Sequence, residues 1–152
     1  MALVLASTIA IAWPATASAG DPLVSLKVSK QKDGPYKPVV HANVALNEAK
    51  DFYWKVRNVS EFNFAGSVRL FDDGPYPPSW VARWFRGDNN ITPDVRGDGY
   101  EFSLKAHRSK HFRSRLKPTM TADALCHSAG ARFAKSSNDF ALVVVNDAIC
   151  IF

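Results

Sequence analysis

The sequence predicts an all-β protein, an antiparallel β-sandwich of about seven strands preceded by a signal peptide. Apolar residues fall on alternate positions far more often than with a helical period. Turn-forming pairs such as Gly34-Pro35 and Gly74-Pro75 interrupt this alternation at short intervals. The 152 residues, 47% of them hydrophobic, suffice for one domain with its own core and exclude a disordered chain. A small barrel is the alternative architecture.

We expect a signal peptide over residues 1–19. This segment carries no charged residue, and its apolar run is followed by Pro14 and by the small residues Ala17 and Ala19, as cleavage by signal peptidase requires. A membrane anchor is the alternative, but Pro14 interrupts the run before the roughly 20 apolar residues that a span needs. The sandwich domain is therefore expected over residues 20–152, in a secreted or cell-surface protein.

The strands are predicted in chain order from alternating or apolar segments. These segments are residues 23–28, 52–58, 67–71, 80–85, 100–104, 111–116, 131–134, 140–145 and 148–152. Brief helices are predicted over residues 43–50 and 120–127. If two sheets close over one interior, then Val56, Phe102, Leu104 and Phe112 point inward together.

The two cysteines, Cys126 and Cys150, are predicted to form a disulfide, because an even count in an exported chain favours a bond. Antiparallel partners in a hairpin have a constant sum of residue numbers, and this pair sums to 276, which places the turn at Asn138 in a turn-forming cluster. Two buried free thiols are the alternative. A metal site is not expected, since two isolated cysteines do not supply four ligands.

Several segments resemble the repeated Ig-like domains of bacterial secreted and cell-surface proteins, a group that includes cell-adhesion modules. The similar segments are residues 54–60, 64–68, 81–85, 87–104, 109–118 and 147–149. The resemblance implies an Ig-like β-sandwich that serves as an accessory, spacer or adhesion domain. It implies no catalytic residues, because such domains have none.

Sequence motifs for catalysis or metal binding are weak. The mature chain holds no G-x-S-x-G elbow and no phosphate-binding glycine loop. His107 and His111 are four residues apart, which suits zinc only on a helix, and the surrounding pattern is extended. We therefore expect a protein that is not an enzyme and needs no cofactor or metal.

A positive stripe is the first candidate site. Arg113, Arg115 and Lys117 alternate along one predicted strand and so project from one face. With a formal net charge of +5, the chain suits an anionic cell-wall or extracellular polysaccharide, or another domain of a surface protein. Nucleic acid is not an expected partner, because the chain has no basic-aromatic recognition motif. A solvated outer face without a partner is the alternative.

Trp80 and Trp84 form the second candidate site, a platform on which sugar rings stack, and a carbohydrate-binding module is the alternative function. Core filling is the competing interpretation, because large aromatic side chains are mainly buried. Two Arg-Gly-Asp tripeptides, at residues 86–88 and 96–98, match an adhesion motif, but Gly-Asp pairs also simply form turns.

Overall fold

The computed structural model describes residues 23–74, 80–119, 125–133 and 145–151. Strands dominate these residues, together with one short helix. The strands are β1 (Val24–Ser29), β2 (Val39–Ala42), β3 (Lys50–Asn58), β4 (Phe64–Gly74), β5 (Trp80–Arg86), β6 (Asn89–Asn90), β7 (Tyr100–Leu104), β8 (Ser109–Pro118), β9 (Leu125–Phe133) and β10 (Val145–Ile151); helix α1 (Thr92–Arg96) lies between β6 and β7.

The strands form two five-stranded sheets that face each other. The first sheet has the order β1-β3-β8-β5-β6, and the second has the order β2-β10-β9-β4-β7. Neighbouring strands are antiparallel, except that β2 runs parallel to β10. The predicted all-β sandwich of two sheets is confirmed.

Alternation explains why these segments are strands with one buried face. In β3 the buried residues Phe52, Trp54 and Val56 alternate with more exposed ones. The indole of Trp54 packs against that of Trp84 at 5.3 Å between ring centroids, and its Nε1 donates a hydrogen bond to the buried Ser114 hydroxyl at 2.8 Å. A buried indole N–H group needs a hydrogen-bond acceptor in the core, and the Ser114 hydroxyl is the acceptor for Trp54.

The four residues predicted to share the core do so. Val56, Phe102, Leu104 and Phe112 are all at most 5% exposed. The rings of Phe102 and Phe112 lie 5.0 Å apart, in a tilted contact between the second sheet and the first. Contacts of this kind across the interior close the two sheets over one hydrophobic core.

Two predicted elements are wrong in the described residues. Residues 43–50 contain a turn rather than a helix, and the last residue of this segment, Lys50, begins β3. Residues 125–127 lie in β9, because pairing with β10 overrides their local preference. The structure also adds β2, β6 and α1, which the alternation does not predict.

The expected signal peptide, residues 1–19, lies outside the described residues. Within the described ranges, the helix is α1, which spans five residues and is far too short to cross a membrane.

Candidate functional site: a basic outer sheet face

The outer face of the first sheet carries a concentration of positive charge, which we call the basic face. The alternation that buries one side of each strand turns these side chains outward. The basic face comprises Lys27 of β1, Lys55 and Arg57 of β3, Arg83 of β5, and Arg113, Arg115 and Lys117 of β8. Among the described residues at outward positions of these four strands, the acidic one is Asp51.

Asp51 accepts hydrogen bonds from two members of the predicted stripe. Arg115 donates from Nε and Nη2 to its two carboxylate oxygens at 2.7 and 3.0 Å, and Arg113 donates from Nη1 at 2.9 Å. The hydrogen bond from Arg115 is the main reason that the pKa of Asp51 is lowered, and burial opposes it. The stripe thus lies on one face as the alternation requires, but two of its three residues are partly neutralised.

The remaining cations of the basic face have no such partner. No ion pair joins Lys27, Lys55, Arg57, Arg83 or Lys117 to another residue in the described part of the chain. Sequence reasoning included Lys117 and missed the other four. The alternation of β3 turns Lys55 and Arg57 to one face, but the sequence does not reveal that β3 lies between β1 and β8.

Like charges are also paired directly across the strands. Lys27 lies opposite Lys55 in the β1–β3 ladder, and Arg83 lies opposite Arg115 in the β5–β8 ladder. Like charges at such positions repel and destabilise a sheet. A bound anion would relieve this repulsion, so the arrangement favours ligands of negative charge.

Two depressions, both lined in part by Tyr36, open onto the basic face. The larger, about 700 Å³, is lined by Tyr36 and Tyr53 together with charged and polar groups. These groups include Lys32, Asp33, Lys55, Asp88, His111 and Arg113. Burial, reinforced by the charge of Lys55 and opposed by Asp33, lowers the pKa of His111, so its imidazole is neutral at pH 7.

The smaller depression, about 400 Å³, is lined by Lys27, Lys55 and Arg57 as well as Tyr36. The two depressions therefore share Tyr36 and Lys55. The Lys55 ammonium lies 5.6 Å from the centroid of the Tyr36 ring, within the range of a cation–π contact.

Trp80 and Trp84 do not form an exposed platform, which corrects the second candidate site. They are 1% and 0% exposed, because positions 80, 82 and 84 of β5 face the other sheet. Their rings each lie 6.2 Å from that of the buried His127. Burying these large apolar side chains stabilises the fold more than exposing them to water would.

A buried polar cluster surrounds Asp72 between the sheets. Its carboxylate accepts a hydrogen bond from Nε1 of Trp84 at 3.0 Å, lies 3.3 Å from Nε2 of His127, and lies 3.8 Å from Nε of Arg96. Burial lowers the pKa of His127, Asp72 opposes this effect, and Arg96 adds to it. The cluster links β4, β5, β9 and α1. Asp72 and His127 are buried, whereas Arg96 is partly exposed.

The Arg-Gly-Asp tripeptides lie at turns. Gly87 occupies the β5–β6 turn with a φ of 59°, a conformation that favours glycine. Arg86 donates a hydrogen bond to the Tyr100 hydroxyl at 2.8 Å, and Arg96 faces Asp72, as described above. Both arginines are thus engaged within the domain.

The two histidines four residues apart do not share a helix, which the zinc motif requires. His111 is on a strand, while His107 has a φ of 56° and contacts Glu61 at 2.9 Å. Within the described residues, no group of three or more His, Cys, Asp or Glu side chains could hold a metal ion.

The predicted register of the cysteine hairpin is present. Cys126 of β9 is paired with Cys150 of β10, and every pair in this antiparallel ladder sums to 276. Paired residues of antiparallel strands lie about 4.5 or 5.5 Å apart at Cα, which suits a disulfide. The predicted turn at Asn138 lies outside the described residues.

No protein-family model matches this chain, and no curated protein matches it. Among solved structures, it is similar to AvmM, which catalyses macrocyclization in alchivemycin A biosynthesis, with a TM-score of 0.51, 10% identity, and coverage of 86% of this chain and 89% of that chain. A family 123 glycoside hydrolase from Clostridium perfringens is matched with a TM-score of 0.49 and 7% identity, over 85% of this chain and 27% of that chain. At such identity, the likeness to AvmM concerns the fold alone.

Proposed function

We propose that this chain is a non-catalytic exported module that contacts an anionic extracellular polymer through its basic face. Its role is that of an accessory, spacer or adhesion domain on a secreted or cell-surface protein. The observation that carries the proposal is the set of five outward cations, Lys27, Lys55, Arg57, Arg83 and Lys117, that form no ion pair with described residues.

Electrostatics explains why a polymer suits this face. Exposed charge contacts contribute about 0.2–1 kcal/mol each, so one contact does not hold a ligand and several along a chain do. Neighbouring strands lie about 4.8 Å apart, so cations on β1, β3, β8 and β5 form rows across the sheet. A repeating polyanion can engage several of them together and relieve the repulsion between Lys27 and Lys55.

The strand order supports an Ig-like topology for the sandwich. In Ig domains, strands A, B, E and D form one sheet and G, F and C form the other. Equating β1, β3, β8 and β5 with A, B, E and D reproduces the first order, and equating β10, β9 and β4 with G, F and C reproduces the second. The cysteines differ from those of antibody domains, because they lie on neighbouring strands of one sheet.

Export is supported by the uncharged apolar segment at residues 1–19 and by the paired cysteines. For an exported domain, the anionic polymers that we propose as partners are wall and matrix polysaccharides.

Binding of the mature domain to an immobilised polyanion tests the proposal. The double variant Lys27→Gln/Arg57→Gln removes two cations of the basic face, and we expect its affinity for polygalacturonate to fall about tenfold. The matched control, Lys105→Gln/Arg132→Gln, removes the same charge from a loop and from the outer face of the second sheet, and we expect less than a twofold change. Equal losses in both variants would contradict a localised site. The measurement is made at low and at physiological salt, because screening should weaken the contact.

A further inference from the structure

We infer that the polymer bound at the basic face is a carboxylate-bearing sugar chain, and that Tyr36 is the ring on which it stacks between two sugar subsites. This inference rests on the proposed function and specifies the ligand of the same face. The tryptophans are buried and cannot stack on a sugar ring. Tyr36 is partly exposed and lines both depressions of the basic face.

The loop that carries Tyr36 is held in place over the sheet. The Tyr36 hydroxyl donates a hydrogen bond to the Lys32 carbonyl at 2.6 Å, and Lys37 exchanges two backbone hydrogen bonds of 2.8 Å with Val28 of β1. Gly34 has a φ of 97°, and a Cβ added there would lie 3.2 Å from the ring of Tyr36. A ring fixed before binding loses little conformational entropy when a ligand stacks on it.

The position of the ring matches a subsite boundary. Tyr36 lines both depressions, of about 700 and 400 Å³, and each volume is in the range that holds small ligands. Its centroid lies 5.8 Å from that of His111, which also lines the larger depression. A linear polymer that occupies both depressions can therefore contact Tyr36 in each of them.

The chemistry of the depressions distinguishes a sugar acid from other polyanions. Arg57 and Lys27 in the smaller depression can donate to a carboxylate. The larger depression also contains Asp33 and Asp88, which repel a dense polyphosphate but accept hydrogen bonds from sugar hydroxyls. Aromatic, cationic and acidic groups together suit a ligand with an apolar ring face, hydroxyls and a single carboxylate on each ring.

Two probes and a set of variants at position 36 test the inference. Oligogalacturonate and inorganic polyphosphate of equal total charge are titrated into the mature domain by calorimetry. We expect Tyr36→Ala and Tyr36→Leu to weaken oligogalacturonate binding about fivefold while changing polyphosphate binding less than twofold. Tyr36→Phe keeps the ring and should retain most of the affinity. Phe62→Ala, which removes an exposed aromatic ring that lines neither depression, should have no effect.

The outcomes separate the two proposals. If both probes bind equally well and no Tyr36 variant changes either affinity, the sugar inference is overturned and the polyanion proposal stands. If neither probe binds the wild-type domain, the proposed function itself fails. Thermal unfolding of each variant shows whether the fold is retained, and Tyr36→Leu preserves the bulk of the side chain should Tyr36→Ala fail to fold.

Discussion

Gly130 allows an aromatic side chain to lie flat on the outer face of the second sheet. It is the cross-strand partner of Phe71, whose ring occupies the space where a Cβ at position 130 would be. The guanidinium of Arg132 lies 4.4 Å from the centroid of the same ring, within cation–π distance. A glycine in the middle of a strand normally weakens it, and here the ring of its neighbour covers the exposed backbone.

Gly130→Ala should therefore destabilise the domain, although alanine is favoured over glycine in most strands. The added methyl group forces the Phe71 ring away from the sheet, and we expect a loss of about 1–3 kcal/mol in the free energy of unfolding, measured by urea denaturation. In a Phe71→Ala background the clash is absent, so the same substitution should cost nothing there. An equal cost in both backgrounds would show that the ring is not the cause.

Single residues also show how far sequence reasoning reaches. Trp80, Ala82 and Trp84 alternate with Val81 and Arg83, so the pattern alone already favours one buried face for the tryptophans. The prolines that precede Trp80 suggest an exposed strand start, and that interpretation is wrong. The partner of the Trp84 indole, Asp72, lies on a strand of the opposite sheet, and no local pattern predicts a contact of that kind.

At the scale of elements, the pairing of β9 with β10 was predictable, and the pairings between distant segments were not. The constant sum of 276 gives the β9–β10 register in full, because a hairpin fixes the register of its two strands. Strand β2 escapes prediction since it spans only four residues and pairs in parallel with β10, far along the chain. The basic face depends on such distant pairings, which explains why the sequence identified one strand of it and not the neighbouring strands.

The β9–β10 pair should depend on the disulfide predicted between Cys126 and Cys150. A bond that closes a loop of about 25 residues lowers the chain entropy of the unfolded state, which raises the free energy of unfolding by about 3.5 kcal/mol. We expect the Cys126→Ser/Cys150→Ser variant to lose that amount in the free energy of unfolding. The intact mass of the protein isolated under oxidising conditions should be two hydrogens below that of the reduced chain. Two thiols that react with a thiol reagent in the denatured, unreduced protein would contradict the bond.

At the scale of the whole molecule, the response to acid depends on a histidine enclosed between the sheets. His127 is 1% exposed, and the groups that face it are Asp72 of β4, Arg96 of α1 and the two indoles of β5. Burial lowers its pKa in the folded state, whereas the unfolded chain keeps the ordinary value near 6.5. The unfolded chain therefore binds a proton more readily than the folded domain.

The contribution of His127 to stability should consequently be constant above about pH 7 and should fall as the pH drops through about 6.5 towards the lower pKa of the folded state. His111, on the outer face, lowers stability in acid in the same way, since its pKa is also lowered by burial. The lowered pKa of Asp51 adds a separate loss of stability only below the ordinary pKa of 3.8. Urea denaturation at pH 8, 6 and 5 measures the slope. His127→Gln should flatten it more than His111→Gln does, and NMR titration of the wild-type imidazoles checks the same assignment without a substitution. A folded His127 that titrates above pH 6.5 would reverse the predicted slope and show that the Asp72 carboxylate, rather than burial, dominates the interior.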